Sequence, residues 1–435
     1  MSAPGARPAP LRARMPSAQG ASAYQRQWFA DLQRRAADGG PFALISAETP
    51  LEILRTMDIP YMPVQWWSSL VSAKQKAPAY LDQLRARGYP DDQEQYFSLG
   101  LASAFDRDPQ SAPWGGLPKP TLVIGDPRDD NHGKIYELWA REYGAVYFPY
   151  ERAVFNDAPD AWWELGRHRW DELIDPAVLD LHVEESKGLI RFLEQTTGRV
   201  FSQTRFAAVL DLINEQEECF TQARDLIAAT SPAPVSITDT FTSVMTPQWH
   251  RGTEWARDAA RLFLDEVIER VERGSTVCSN ERARLAWVGA GLWFDVDFYD
   301  SFIEDHGAVF VWSMYLGMAA DAYARYGRAE PLRTLAARYA AFIQYVTMEP
   351  WPSGWLVKEA KLHQVDGVVC LGGGGPFLER AMREAGIPVL AIKGHNVDSR
   401  QWDGPAIRAD ISRFIEEQAV PHALERRRNP PPTPT

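Results

Sequence analysis

Sulfur is scarce in this chain: 435 residues hold three cysteines, Cys219, Cys278 and Cys370. No two are close in sequence. That leaves neither a disulfide framework nor a local zinc motif, and a reducing cytoplasm is the expected compartment. Long apolar runs are also missing. None approaches the ~20 residues that cross a bilayer, so no membrane partner is expected. A basic excess is absent too: the net charge is −12, which argues against nucleic acid as a partner. The opening stretch "MSAPGARPAPLRARMPSAQGASA" carries arginines but no apolar centre of a secretory signal. Residues 1–22 and 419–435, the latter ending "ERRRNPPPTPT", are expected to be disordered tails.

What is present is a globular composition, 45% hydrophobic and 24% charged, long enough for two or three domains. Sixteen tryptophans exceed what a core needs. The surplus suits a large apolar pocket or a subunit interface.

Two α/β regions flank a helical middle. Residues 23–157 hold the strand candidates "YMPVQW", "TLVIGD" and "AVYFPY". The last two are separated by a helix, "NHGKIYELWAREYG", which Gly144 should stop, the order of a βαβ unit. Residues 158–274 carry apolar positions at helical spacing. Residues 275–418 alternate helices with "RLAWVGAG", "AVFVWSM", "DGVVCLG" and "PVLAIKG". These runs are short and almost wholly apolar, as in parallel strands covered on both faces. The expected fold is α/β, with two Rossmann- or flavodoxin-like parallel-sheet domains joined by a helical segment.

Several places could carry chemistry. Gly289 and Gly291, in "WVGAGLWF", follow a strand, but Trp293 and Phe294 stand where a dinucleotide loop would continue. A tight turn lining a pocket is the alternative. "PQWHRGTEW" offers His250 for proton transfer, Arg251 for an anion and Glu254 in a first helical turn; a cap and salt-bridge cluster would look the same. "IGDPRDDNHGK" sets Asp126, Arg128, Asp129, Asp130 and His132 at a strand end, a set that could bind a hard metal, though a solvated turn is the commoner role of such a cluster. Trp66 and Trp67 follow a strand, so one of them should face a pocket or partner. In "HQVDGVVCLGGGGPFLERAM", Gly372, Gly373, Gly374 and Gly375 join a strand to a helix that Pro376 opens. Without Cβ atoms they leave room and expose N–H groups to a phosphate or acyl group.

The pieces "ETPLEILRTMDIPYMPVQ", "INEQEECFTQARDLI", "RLAWVGAG", "VDGVV" and "GIPVLAIKGHNVDSR", with "AIRADISRFIEEQ" after them, resemble the 2-hydroxyacyl-CoA dehydratase and benzoyl-CoA reductase family. The resemblance runs from about Glu48 to Gln418. It implies a heteromeric enzyme acting on an acyl-CoA thioester. An ATP-dependent activator would deliver an electron to a [4Fe-4S] cluster held by three cysteines, with one iron open to substrate. This chain departs from that pattern. Tyr96 and Ser98 stand near the first ligand position, Gly125 precedes Asp126 at the second, and Gly374 to Pro376 occupy the third, while Cys370 falls too early. The resemblance therefore implies a subunit with no metal or cofactor of its own, shaping an acyl-CoA pocket beside a homologous cluster-bearing subunit. The aromatic content favours an aryl or arylalkyl acyl group. Two alternatives stay open: a redox-independent acyl-CoA lyase using His250, Glu254 and Asp126 as acid–base groups, and a non-catalytic acyl-CoA binding scaffold.

Overall fold

The computed structural model describes residues 13–89, 95–106, 108–153, 157, 159–327, 329–372 and 375–429. Its framework is two four-stranded parallel sheets. The first holds β1 (Ala43–Ile45), β2 (Tyr61–Pro63), β3 (Leu122–Gly125) and β4 (Val146–Pro149), in the order β2-β1-β3-β4. The second holds β5 (Ala283–Val288), β6 (Ala308–Ser313), β7 (Gly367–Leu371) and β8 (Val389–Ile392), in the order β6-β5-β7-β8. Every pairing is parallel. The two orders are the same, with the direction of winding reversing beside the first strand of each sheet. Ligands bind at such a switch point, outside the carboxyl ends of the strands.

Each of the three strand candidates of the first region and the four of the second contains a strand, and the helix before Gly144 runs Asp130–Tyr143. Gly144 takes φ 64, the left-handed cap that glycine supplies most cheaply. One strand, β1, was not among the candidates. Its three residues are too few to show a period, yet it is the central strand on which β2 and β3 both pair.

Three expectations need correction. Trp66 and Trp67 do not lie on an extended run: β2 stops at Pro63, and both sit in the helix Val64–Ala73. The first tail is ordered from Pro16, which opens a helix spanning Pro16–Ala37. Its Ala18, Ala21, Phe29 and Leu32 form a buried face, and the Ser17 backbone N–H and hydroxyl donate to the Glu266 carboxylate at 2.9 and 2.6 Å. The small residues that read as disorder are what let this helix lie close to its neighbours. The second tail is helical over Val420–Arg428, where Arg426 donates to the buried Asp366 at 2.9 Å.

The middle of the chain supplies long helices, among them Pro176–Thr197, Gln203–Ala229, Ile237–Trp249 and Glu254–Glu272. Among the described residues no helix is long and apolar enough to cross a membrane. Tryptophans fill much of the core: Trp67, Trp139, Trp162, Trp287, Trp351 and Trp355 are among the largest fully buried side chains, and Trp162 stacks on Tyr345 at 3.9 Å.

The helix Pro176–Thr197 buries His182 completely, with neither ring nitrogen partnered. Burial, with Arg152 adding to it, pulls this imidazole down to about 4. An unfolded chain takes up the proton near pH 6.5, so stability should fall as pH drops from about 6.5 to about 4. His182→Phe removes that part of the acid sensitivity. In urea titrations across this window, the variant should lose less stability than wild type, by on the order of 2 kcal/mol. An unchanged acid slope would place the sensitivity elsewhere.

Candidate active site

Charged side chains from distant parts of the chain meet between the sheets. Glu52, in the helix Leu51–Thr56, is fully buried and accepts from Arg251 Nε at 2.7 Å and Tyr339 Oη at 2.7 Å. Arg338, in the helix Pro331–Thr347, lies 3.5 Å from Glu52 and also bonds Glu217 of the helix Gln203–Ala229. Arg325 donates to Glu217 at 2.9 Å. Burial pushes the Glu52 carboxyl up, but Arg251 and Arg338 outweigh it and hold Glu52 below the usual range. A second lattice fixes two aromatic rings. Arg224 grips Asp321 through two 2.9 Å bonds; Trp355 Nε1 donates to Asp321 at 2.9 Å, and Trp312 Nε1 to Glu359 at 2.6 Å.

Above these lattices lies a cavity of about 750 Å³. The carboxyl ends of both sheets open into it. Glu48 follows β1, Gln65 and Trp66 follow β2, and Arg128 follows β3; from the other side come Gly289 after β5, Tyr315 after β6 and Leu371 at the end of β7. The helix Ile237–Trp249 forms a third wall through Phe241, Met245 and Gln248. Six tryptophans line the space: Trp66, Trp114, Trp249, Trp293, Trp312 and Trp355. Trp114 is held at φ 50, a strained conformation for a bulky residue, and its carbonyl accepts from Gln33 Nε2 at 3.1 Å. Gln248 is buried with both amide atoms unpartnered, so whatever fills the cavity is the available source of a partner.

Glu48 is the one carboxylate among the lining residues. It accepts from Gln65 Nε2 at 2.7 Å and pairs with Arg128 Nη2 at 2.8 Å. Burial pushes its carboxyl up, while Arg128 and the Ser46 hydroxyl more than compensate and hold it below the ordinary value. Asp126 stands behind this pair, fully buried, 2.9 Å from Arg128 and accepting from Arg152 Nε at 2.7 Å. Burial raises its carboxyl despite both cations.

The sequence candidates separate into two groups. Trp66, Arg251 and Gly289 line the cavity. Gly289 has φ +110, and a Cβ there would stand 3.1 Å from the Leu371 carbonyl oxygen, so the turn is built for glycine. Gly291 sits one step behind, donating its N–H to Tyr315 Oη at 3.0 Å. Trp67 is core, with Nε1 bonded to Ser103 at 2.6 Å. Asp126 braces Arg128 from outside the cavity instead of facing a substrate. His250 was expected to exchange protons at a helix start. It lies in the turn before Thr253, the true cap, and Tyr24, Trp28 and Trp255 enclose its ring at 4.9, 4.6 and 5.8 Å. Neither ring nitrogen has a partner, and burial holds the ring neutral, its pKa well below 6.5. Glu254 is exposed at the first turn of its helix and does not line the cavity. Gly372 and Gly375 take φ +83 and +76 and are not among the lining residues, though Gly372 directly follows the lining Leu371; Gly373 and Gly374 lie outside the described residues.

Sequence reasoning passed over Glu48, Gln65 and Arg338. Glu48 stands three residues past β1, and recognising that strand would have marked it.

The sequence profile described as 2-hydroxyglutaryl-CoA dehydratase, D-component, matches residues 47–417. The chain belongs to this family. Among curated relatives, it is 25% identical to the (R)-phenyllactyl-CoA dehydratase alpha subunit of Clostridium sporogenes, over 49% of this chain and 53% of that one. It is 21% identical to the (R)-2-hydroxyisocaproyl-CoA dehydratase alpha subunit of Clostridioides difficile, over 52% of this chain and 57% of that one. The chain thus spans about half the length of the curated relatives it matches.

The donor set of this D-component relative does not suit a thiolate-held iron–sulfur cluster. No cysteine lines the cavity. Cys219 packs in one apolar cluster with Phe220 and Phe263, while Cys278 and Cys370 belong to another. Burial pushes the Cys370 thiol up to about 12, away from the thiolate that metal needs. Tyr96 lines the cavity near the first ligand position. At Gly125 an added Cβ would stand 2.5 Å from the Tyr136 ring. Among the described residues, no group of three or more His, Cys, Asp or Glu is placed to hold a metal ion.

Arg128→Met should invert the behaviour of Glu48. In wild type the depressed carboxyl contributes stability above its unfolded pKa, and that stability is lost as pH falls through the folded value. Without Arg128, burial dominates and the carboxyl rises, so the charged form is what destabilises. The stability gap between wild type and variant should be wide at pH 7 and narrow towards pH 5. Chemical denaturation at both pH values checks this; a constant gap would contradict the assignment.

Proposed function

We propose that this chain is the cluster-free subunit of a heteromeric acyl-CoA dehydratase or related reductase, shaping the acyl-CoA pocket beside a homologous, cluster-bearing partner. One observation carries the reading. A cavity walled by six tryptophans lies between the carboxyl ends of two parallel sheets and contains a single carboxylate, Glu48. Aromatic walls take an apolar acyl group and exclude water, and an aryl or arylalkyl chain gains ring packing besides. Glu48 is ionised but weakly basic, because Arg128 holds its proton affinity down. A carboxylate of that kind is suited to accept a hydrogen bond from a substrate hydroxyl and to orient it. The unpartnered amide of Gln248 supplies a donor for a thioester oxygen.

Membership of the D-component family and the names of the two relatives, both alpha subunits, support the heteromeric arrangement. The scattered cysteines support placing the iron on another chain. The lyase reading has less to stand on, since His250 is walled off, Glu254 is exposed on the outside and Asp126 lies behind Arg128.

Anaerobic purification tests this directly. The isolated chain should carry less than one iron atom, and affinity capture from its own cells should bring down a cysteine-bearing relative of the same family. Stoichiometric iron on the isolated chain, or full dehydratase turnover in air by the chain alone, would overturn the proposal.

A further inference from the structure

The helix Pro16–Ala37 lies wholly before the family-matched residues 47–417, yet it forms part of the cavity wall. Ser22, Gln25 and Arg26, at helical spacing, line the space. The helix is fastened by polar and aromatic contacts. Gln25 Nε2 donates to Thr246 Oγ1 at 2.6 Å, and Tyr24 and Trp28 close over the ring of His250. The residue that looked catalytic is thus an apolar footing for this helix. Gln33, lower on the same helix, holds the carbonyl of the strained Trp114.

Charge at the mouth points to the ligand. The chain is acidic overall, at −12, but the exposed charged residues lining the cavity are the cations Arg26 and Lys74. The one lining carboxylate, Glu48, is buried and paired with Arg128. Arg26 makes no ion pair among the described residues. An aromatic interior beneath a cationic rim fits a ligand with an apolar end and a polyanionic end. We propose that the first helix, which precedes the family-matched residues, is a substrate-binding element, and that Arg26 grips a phosphate of the CoA portion at the cavity mouth. The proposal rests on the acyl-CoA reading above. It adds the element and the residue that recognise the phosphorylated end.

Binding of phenylacetyl-CoA and of phenylacetyl-pantetheine to the full chain, followed by tryptophan fluorescence, separates the two ideas. The second probe keeps the thioester and lacks the nucleotide phosphates. Arg26→Ala should weaken phenylacetyl-CoA roughly two- to fivefold, the range for one solvent-accessible charge contact, and leave phenylacetyl-pantetheine unchanged. Arg26→Lys should recover part of the loss. Equal effects on both probes, or none on phenylacetyl-CoA, would overturn the role of Arg26 while sparing the acyl-CoA reading. If wild type binds neither probe, the acyl-CoA reading falls and the inference falls with it.

Discussion

The contact on which the rest depends is the buried ion lattice of Glu52, Arg251, Arg338 and Glu217. Glu52 stands just beyond β1 of the first sheet, Arg251 lies in the turn between the helices Ile237–Trp249 and Glu254–Glu272, and Arg338 belongs to the second α/β region. A buried ion pair gains little net stability over a well-packed apolar one, because both partners lose water. Its geometric demand is strict, however, since an unpaired buried charge is strongly destabilising. Glu52 receives Arg251 and Tyr339, and Glu217 receives Arg325 and Arg338. The sheets meet with their carboxyl ends facing because that arrangement satisfies all of these groups together. Arg251, Arg338 and Tyr339 also line the cavity, so the fastening of the two sheets and the floor of the site are one structure.

Much of the architecture was legible in the sequence, and the exceptions have physical causes. Strands β5 to β8 stood out because a parallel strand covered on both faces must be apolar throughout. β1 did not, since three residues carry no period. The first helix was hidden by its own composition: alanine, serine, glycine and glutamine read as a tail, yet those small side chains let it pack closely on the helices bearing Thr246 and Glu266.

The site was less legible than the fold. Glu217 and Arg338 carried no signal of their own, and nothing local reveals that they pair across 121 residues of sequence. His250 looked functional because imidazoles at helix starts often are. Its actual environment is set by Tyr24 and Trp28, more than two hundred residues earlier in the chain. Trp66 and Arg251, singled out from an aromatic pair after a strand and a cation at a turn, both line the cavity. Glu48 was missed with the strand that positions it. The resemblance implied that the cysteines miss the family's ligand positions; in the structure all three lie in apolar packing.

The central claim is that the space between the facing sheets receives the acyl end of a CoA thioester. Photocrosslinking with an acyl-CoA whose acyl chain ends in a diazirine, followed by peptide mapping, tests it most directly. The account predicts labelling on the cavity walls, at Trp66, Phe241, Trp293 or Phe342, suppressed by excess unlabelled acyl-CoA. Labelling confined to surface residues outside this cavity, or labelling that excess acyl-CoA fails to suppress, would contradict it.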